Sequence, residues 1–313
     1  MIFSTKIPIS KSIHPIDYSA SILLIGSCFA DKIGTKFNFY KFRTIVNPFG
    51  IIFNPISIEN VLTRVVKKRY FTEQDIFFHN ELWHCFEVHS EFSNSNKKEL
   101  LSNLNSILDT VNGQISQLTH LIITYGSSWV YRNITTNQVV ANCHKVSQNQ
   151  FIKEILTVSV IEKSIENTIA LIQKINPNCN FIFTVSPVRH LKDGFVENQR
   201  SKSHLITAIH NPKFTIHSYF PSYEIVMDEL RDYRFYAEDM LHPNQIAIDY
   251  IWERFEAIAI SKVSLDTMAE INNIQKAMAH RPFNFESESH LKFKQTILVK
   301  IREIQLKYPF MNF

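Results

Sequence analysis

An α/β fold with a parallel sheet covered on both faces, followed by a C-terminal helical appendage, is predicted by three observations. Short apolar runs end in Gly or Ser-Pro at Ser21–Gly26, His120–Gly126 and Asn180–Pro187. Segments with helical apolar spacing separate these runs. After about residue 260 the strand signals stop and helical patterning continues alone. Strands that alternate with helices imply parallel pairing, because each crossover returns over a sheet face. Residues 1–260 are read as the main domain and 261–313 as a helical extension packed on it.

The elements follow in order. Ser21–Ile25 is apolar on both faces, as a central parallel strand must be, and ends at Gly26. A helix is expected from Phe29 to about Phe39. Val46-Asn47-Pro48-Phe49-Gly50 reads as a loop, because Pro and Gly bracket an aromatic. Ser57 is the expected cap of a second helix running to about Arg69, with Asn60 where a capping box prefers Glu or Gln. Residues 76–93 are rich in aromatics and predict a hairpin. A helix over 97–112 leads to the second buried strand, His120–Tyr125. Residues 128–142 predict a small hairpin turning around Asn133–Asn137.

Ile161, Ile165, Ile169, Ile172 and Ile175 recur at spacings of four and three, an amphipathic helix that stops at Asn176-Pro177. The third strand is Asn180–Val185. A helix over 200–210, a strand over Lys213–His217 and a helix over Tyr223–Leu230 come next. Pro243 is placed at a helix start, with Ile246, Ala247, Tyr250 and Ile251 on one face. Phe293, Ile297, Ile301, Ile304 and Tyr308 form the apolar stripe of the extension.

Composition narrows the function. The chain has 313 residues and a net charge of +4, with no concentrated basic stripe, so no nucleic-acid partner is expected. Glycine is sparse, at 6 residues, and no glycine-rich phosphate loop occurs, so no nucleotide cofactor is implied. Cys28, Cys85, Cys143 and Cys179 form no C-x-x-C, which argues against a zinc knuckle or a dithiol motif. No metal or other cofactor is expected. The N-terminus carries Lys6, Lys11, His14 and Asp17 without an apolar core, so it does not read as a signal peptide, and no segment is long enough to span a membrane. Reduced thiols and a cytoplasmic location are the default expectation.

Ligands of doubly wound sheets bind outside the carboxyl ends of the strands. Gly26-Ser27-Cys28, Gly126-Ser127-Ser128 and Ser186-Pro187-Val188-Arg189-His190 all lie at predicted strand ends. Asp239-Met240-Leu241-His242 adds a carboxylate and an imidazole three residues apart. In a turn, that spacing lets Asp239 fix the His242 tautomer and leaves the second ring nitrogen for a nucleophile. Ser27 and Cys28 sit at a strand-to-helix turn, where free N–H groups favour negative charge and lower a cysteine pKa. The same N–H groups could serve an oxyanion.

Leu24-Ile25-Gly26-Ser27-Cys28-Phe29-Ala30 resembles the motif of the GSCFA family, a branch of the SGNH/GDSL hydrolase superfamily. So do Val46–Gly50, Thr124–Tyr131, Asn142–Lys145, Ser186–Gly194, Asn198–Lys202, Tyr219–Glu224 and Asp228–His242, so the resemblance covers roughly residues 1–260. It implies a flavodoxin-like three-layer α/β/α sandwich and an esterase or acyltransferase acting on an acyl ester or thioester, with a small molecule or saccharide as substrate. Cys28 falls on the nucleophile position and ranks ahead of Ser27. Asp239 and His242 fall on the Asp-x-x-His block. The resemblance makes Gly50, with Asn47 in the same loop, a candidate oxyanion donor. Gly126, Ser127 and Ser128 fall on the other donor block, with Ser where the superfamily pattern has Asn; either Ser128 donates in its place or Asn142 folds back from the hairpin. Because a thioester can be intercepted by an alcohol or amine, transfer and hydrolysis are both open.

Each site has a structural alternative. Cys28 can be a buried small hydrophobe and Ser27 a helix cap. Asp239 can cap the helix near Pro243. Arg189 and His190 are candidates to bind a carboxylate or phosphate, but Arg189 can equally pair with Asp193, Glu197 or Asp228. A binding module that has lost turnover, recognising an anionic saccharide or acyl carrier, is the competing function. A metal-dependent hydrolase built on His84, His89 or His144 is the weakest. Oligomeric state is left open.

Overall fold

A computed structural model describes residues 5–214, 217–280, 283 and 287–313. Strand β1 (Ser21–Gly26) runs directly into helix α1 (Cys28–Phe39), and β2 (Arg43–Val46) returns beside β1. Helix α2 (Pro55–Val66), a hairpin of β3 (Phe77–His79) with β4 (Leu82–His84), and α3 (Lys97–Ile115) precede β5 (His120–Tyr125). Strands β6 (Trp129–Asn133), β7 (Val139–Val140) and β8 (Phe151–Ile155) form a small antiparallel sheet. Helix α4 (Val158–Gln173), β9 (Asn180–Val185), α5 (Phe195–Ile209) and β10 (His217–Phe220) complete the alternating part. A single turn, α6 (Ser222–Glu224), continues as a π-helical turn to Glu229. Then come α7 (Gln245–Ala259), α8 (Lys262–Ala279) and α9 (Glu288–Lys307).

The main sheet is β10-β9-β5-β1-β2, and every pair in it is parallel. Counted along the chain within this sheet the order is 2-1-3-4-5, one of the two common doubly wound orders. The direction of winding reverses between β1 and β5, and sheets of this kind bind ligands outside the carboxyl ends of the strands at such a reversal.

Alternation along β1 divides the core. Leu23 and Ile25 join Leu121, Ile123, Phe181 and Phe183 in a core shared with α2, α3, α4 and α5. Ile22 and Leu24 face the other layer, with Phe37 of α1, Trp252 and Phe255 of α7, and residues of α8 and α9. Phe37 meets Phe42, Trp252 and Phe255 edge-on, at centroid distances of 5.4, 5.0 and 5.8 Å. Such pairs contribute about 0.5–1.5 kcal/mol each beyond their buried area. The mixed α/β architecture and the C-terminal helices are as expected.

Several boundaries differ from the sequence expectation. Residues 43–46 form an edge strand that was not expected. Helix α2 is capped by Asn54, whose Oδ1 accepts the Ser57 N–H, with Pro55 as the first helical residue. Asn54 sits where Pro can follow without losing a needed donor, so the cap falls three residues before Ser57. The hairpin over 128–142 gains a third strand, β8. The fourth strand is displaced: Lys213 and Phe214 lie in a turn, residues 215 and 216 lie outside the described residues, and pairing covers His217–Phe220. Pro243 precedes α7, which Asn244 caps through the Ala247 N–H. No helix among the described residues is long and apolar enough to cross a membrane.

Candidate functional site

Pairing register levels the ends of the three central strands: Gly26 lies opposite Thr124, and Thr124 opposite Thr184. At Gly26, φ is +147°, and a Cβ would stand 2.2 Å from the Thr124 carbonyl oxygen. Glycine is therefore required for β1 to leave the sheet at this point. Asn47 anchors the turn. Its Oδ1 accepts the Gly26 N–H at 2.8 Å and its Nδ2 donates to Asp31 Oδ1 at 2.6 Å.

Ser27 caps α1. Its Oγ accepts the Phe29 N–H at 3.2 Å, its own N–H donates to Thr124 O, and its side chain is buried. Cys28 is the first helical residue and is half-buried. The thiol does not follow the expectation of a lowered pKa. Burial pushes it up, and Asp31, one turn along α1, adds to the rise. Its own amide, Lys202 and Lys32 pull the other way without cancelling the rise.

Asp239 and His242 meet as their spacing predicts. His242 Nδ1 lies 2.6 Å from Asp239 Oδ2, while Asp239 Oδ1 accepts the N–H groups of Leu241 and His242 at 2.9 and 3.0 Å. Asp239 caps this turn and not α7. The turn is docked beyond the carboxyl end of β9 by a bond from Arg189 N–H to Leu241 O at 3.1 Å. Two buried residues, His190 and Lys202, neighbour this turn and Cys28 respectively. His190 is flanked by His242 and Lys202, and burial followed by these charges drives its pKa down to about 3. It is a neutral wall residue, tilted against the ring of Phe53, with Nε2 buried and unpartnered. Lys202 neighbours both His190 and Cys28. Cys28 and His242 themselves share no hydrogen bond among the described residues.

Lys202, on α5, is the site residue that sequence reasoning missed. Its Nζ donates to Gly126 O and Ser186 O, both at 2.7 Å, tying the ends of β5 and β9 together. Complete burial lowers its pKa to about 7, against opposing pulls from Cys28 and Glu224. The signal was present: Asn198, Lys202, Leu205 and Ile209 share the buried face of α5. A lysine within an apolar stripe is rarely there for solvation.

The expected oxyanion donors are largely engaged elsewhere. Gly50 N–H closes a turn onto Asn47 O at 2.7 Å. Gly126 N–H bonds Phe53 O. Ser128 N–H donates to Ser201 Oγ and Ser128 Oγ to Ser201 O, while Ser127 Oγ meets Ser201 Oγ and accepts the Trp129 N–H. The Ser127-Ser128 pair thus pins the β5–β6 turn to α5. Asn142 stays in its own hairpin, with Oδ1 accepting the His144 N–H. The Cys28 N–H stands in the first turn of α1, where amides have no intrahelical acceptor. Among the described residues, no group of three His, Cys, Asp or Glu side chains is placed to hold a metal ion. His84 has both ring nitrogens engaged, by Ser93 Oγ and His79 O.

Arg189 pairs with none of its expected carboxylates; Asp193 is bound by Lys153 instead. Its guanidinium lies against the rings of Phe195, Tyr233 and Tyr236, at the rim of a cavity of about 280 Å³. Asn198 lines the same cavity, and its Oδ1 accepts the His190 N–H at 2.9 Å. The two residues of the Arg189-His190 pair therefore do different things: Arg189 faces the cavity and His190 is turned into the wall.

No curated protein matches the chain. A model of the GSCFA family matches residues 21–255, and one described as GSCFA domain protein, C-terminal domain, matches residues 271–313. The first match spans every residue of the site described above, from Gly26 to His242, and takes in most of the chain. The chain therefore belongs to the GSCFA family.

Proposed function

We propose that this protein is an SGNH-type hydrolase or acyltransferase, built on a flavodoxin-like α/β/α sandwich, that acts on an acyl ester or thioester through Cys28, His242 and Asp239. The observation that carries this reading is the Asp239–His242 bond at 2.6 Å, in a turn docked on the strip that leaves β9, whose Ser186 O is bound by Lys202, a neighbour of Cys28. Asp239 holds the ring in one orientation, which leaves Nε2 for the proton transfer.

The chemistry runs in two halves. His242 takes the Cys28 thiol proton, and Sγ attacks the acyl carbonyl carbon. The carbon–sulfur bond forms, the bond to the leaving group breaks, and His242 returns the proton to that group. Water or an acceptor hydroxyl then gives a proton to His242 and attacks the thioester, and the released thiolate is reprotonated. The raised thiol pKa fits this order, because a thiol that stays protonated needs a base at the moment of attack. The Cys28 N–H is the donor best placed for the developing oxyanion.

Intact-mass spectrometry after incubation with acyl-thioester and fluorophosphonate panels tests the reading. The expected result is an adduct mapped to Cys28 that is lost in His242→Ala while the fold is kept. Unchanged labelling in that variant, or labelling confined to another cysteine, sinks it.

A second reading is a binding module for an anionic saccharide or acyl carrier. It is favoured by the engagement of Gly50 N–H and Ser128 N–H in internal bonds. Ligand stabilisation without any adduct at Cys28 would support it.

A further inference from the structure

We infer that the cavity beside Arg189 is a subsite for the carboxylate end of a short dicarboxylic acid that is esterified or thioesterified at its other end. This rests on the acyl-transfer reading above and names its substrate class. Arg189 lies on the strip that leaves β9, and its backbone N–H bonds Leu241 O, the residue before His242. A group held by its side chain is thereby placed beside the turn that carries the imidazole.

The guanidinium is prepared for an anion. Three rings face it, with centroids 5.4 Å (Phe195), 5.7 Å (Tyr233) and 5.3 Å (Tyr236) from its central carbon. Stacking of this kind fixes the plane of the fork without using its N–H donors. Among the described residues its side chain makes one hydrogen bond, from Nη1 to Met240 O at 3.2 Å, and no ion pair. Asp193 is held by Lys153 and Asp232 by Arg234. Phe195 and Tyr233 are large aromatics left 65% and 62% exposed at the rim, where stacking on a ligand would cover them.

Size and charge select the ligand. A cavity of about 280 Å³ lies near the lower bound for small-molecule sites and suits a chain of a few carbons. Tyr223, Val226 and Leu230 supply apolar wall for that chain. One planar fork matches the two oxygens of a carboxylate. The lining also holds Arg231 and Asp232, so with Arg189 it carries a net single positive charge, which matches one carboxylate better than a phosphate dianion.

The test compares kcat/KM for mono-p-nitrophenyl glutarate and p-nitrophenyl butyrate. The wild-type protein is expected to prefer the carboxylated ester by about tenfold or more, the worth of a charged hydrogen-bonded pair. The ratio should collapse toward unity in Arg189→Ala and lie between in Arg189→Lys, which keeps the charge and loses the fork. A binding arm uses His242→Ala and monomethyl glutarate, read as a shift in Tm, with inorganic phosphate alongside. Stabilisation by monomethyl glutarate that disappears when Arg189→Ala is added supports the subsite. Equal turnover of the two esters, or stronger stabilisation by phosphate, overturns it. If neither ester is turned over while monomethyl glutarate still stabilises, the subsite stands and the acyl-transfer reading falls.

Discussion

Asp239 holds His242 at both ring and backbone: its Oδ2 faces Nδ1 at 2.6 Å and its Oδ1 accepts the His242 N–H at 3.0 Å. The His242 and Leu241 N–H groups, then the imidazole, hold the Asp239 carboxyl down to about 2. A carboxylate depressed in the folded state contributes stability above the ordinary value near 4, and loses it as pH falls toward about 2. The pair is half-exposed, so this contribution is small. Asp239→Asn should lower kcat/KM by roughly 10³–10⁴-fold, by removing the orienting acceptor, with little change in Tm. Carbon-detected NMR titration should find the Asp239 carboxyl ionised well below the usual range; an ordinary midpoint would count against the bonding described.

Ser27 and Cys28 are adjacent and should separate cleanly. Ser27→Ala removes a helix cap and should cost about 1 kcal/mol of stability by denaturant titration while leaving Cys28 open to acylation. Cys28→Ala should remove acyl labelling entirely with a smaller change in stability. The reverse pattern would move the nucleophile to Ser27.

Lys202 carries a pH signature. Its folded pKa of about 7 lies below the unfolded value near 10.4, so the unfolded chain binds more protons between those limits. Stability should therefore rise with pH across that window, and Lys202→Met should abolish the rise. The variant also leaves Gly126 O and Ser186 O without their donor, at about 1–3 kcal/mol each, partly offset by removing a buried charge. With the nearby ammonium gone, iodoacetamide should alkylate Cys28 more slowly at a given pH. An unchanged rate would show that the two groups do not interact.

Gly26→Ala should cost more than about 3 kcal/mol, or prevent folding, because its methyl would enter the Thr124 carbonyl at a φ that side chains avoid. Gly113→Ala is the control: no atom lies near its added Cβ, so it should be tolerated or slightly stabilising. Chemical denaturation of both variants checks the contrast.

Legibility in the sequence followed burial. β1, β5 and β9 are covered on both faces, so their apolar runs announced them. β2 is four residues at a sheet edge with no fully buried position, and β8 exposes Ile152 and Lys153, so neither carried a run to read. Asp239 and His242 were legible because their partnership is local. The tie from Lys202 to Gly126 and Ser186 spans distant segments, and spacing along one helix showed its burial without its acceptors. Whether Gly50, Ser128 or Asn142 had a free donor depended on the bonds each makes in the folded chain, which no pattern displays.

Helix α1 begins with Cys28 and is gripped at its far end by the last helices. Gln275 of α8 donates to Phe39 O, Tyr308 leans on Tyr18, and Phe310 and Phe313 lie under Arg43 and Lys41. A chain shortened after Ile260 would bare the surface that Ile271, Ile274 and Ile304 now cover, and would loosen the seat of the thiol from behind. The C-terminal part of that layer thus works as a bearing, and damage there would reach the strand ends without altering a single residue at them.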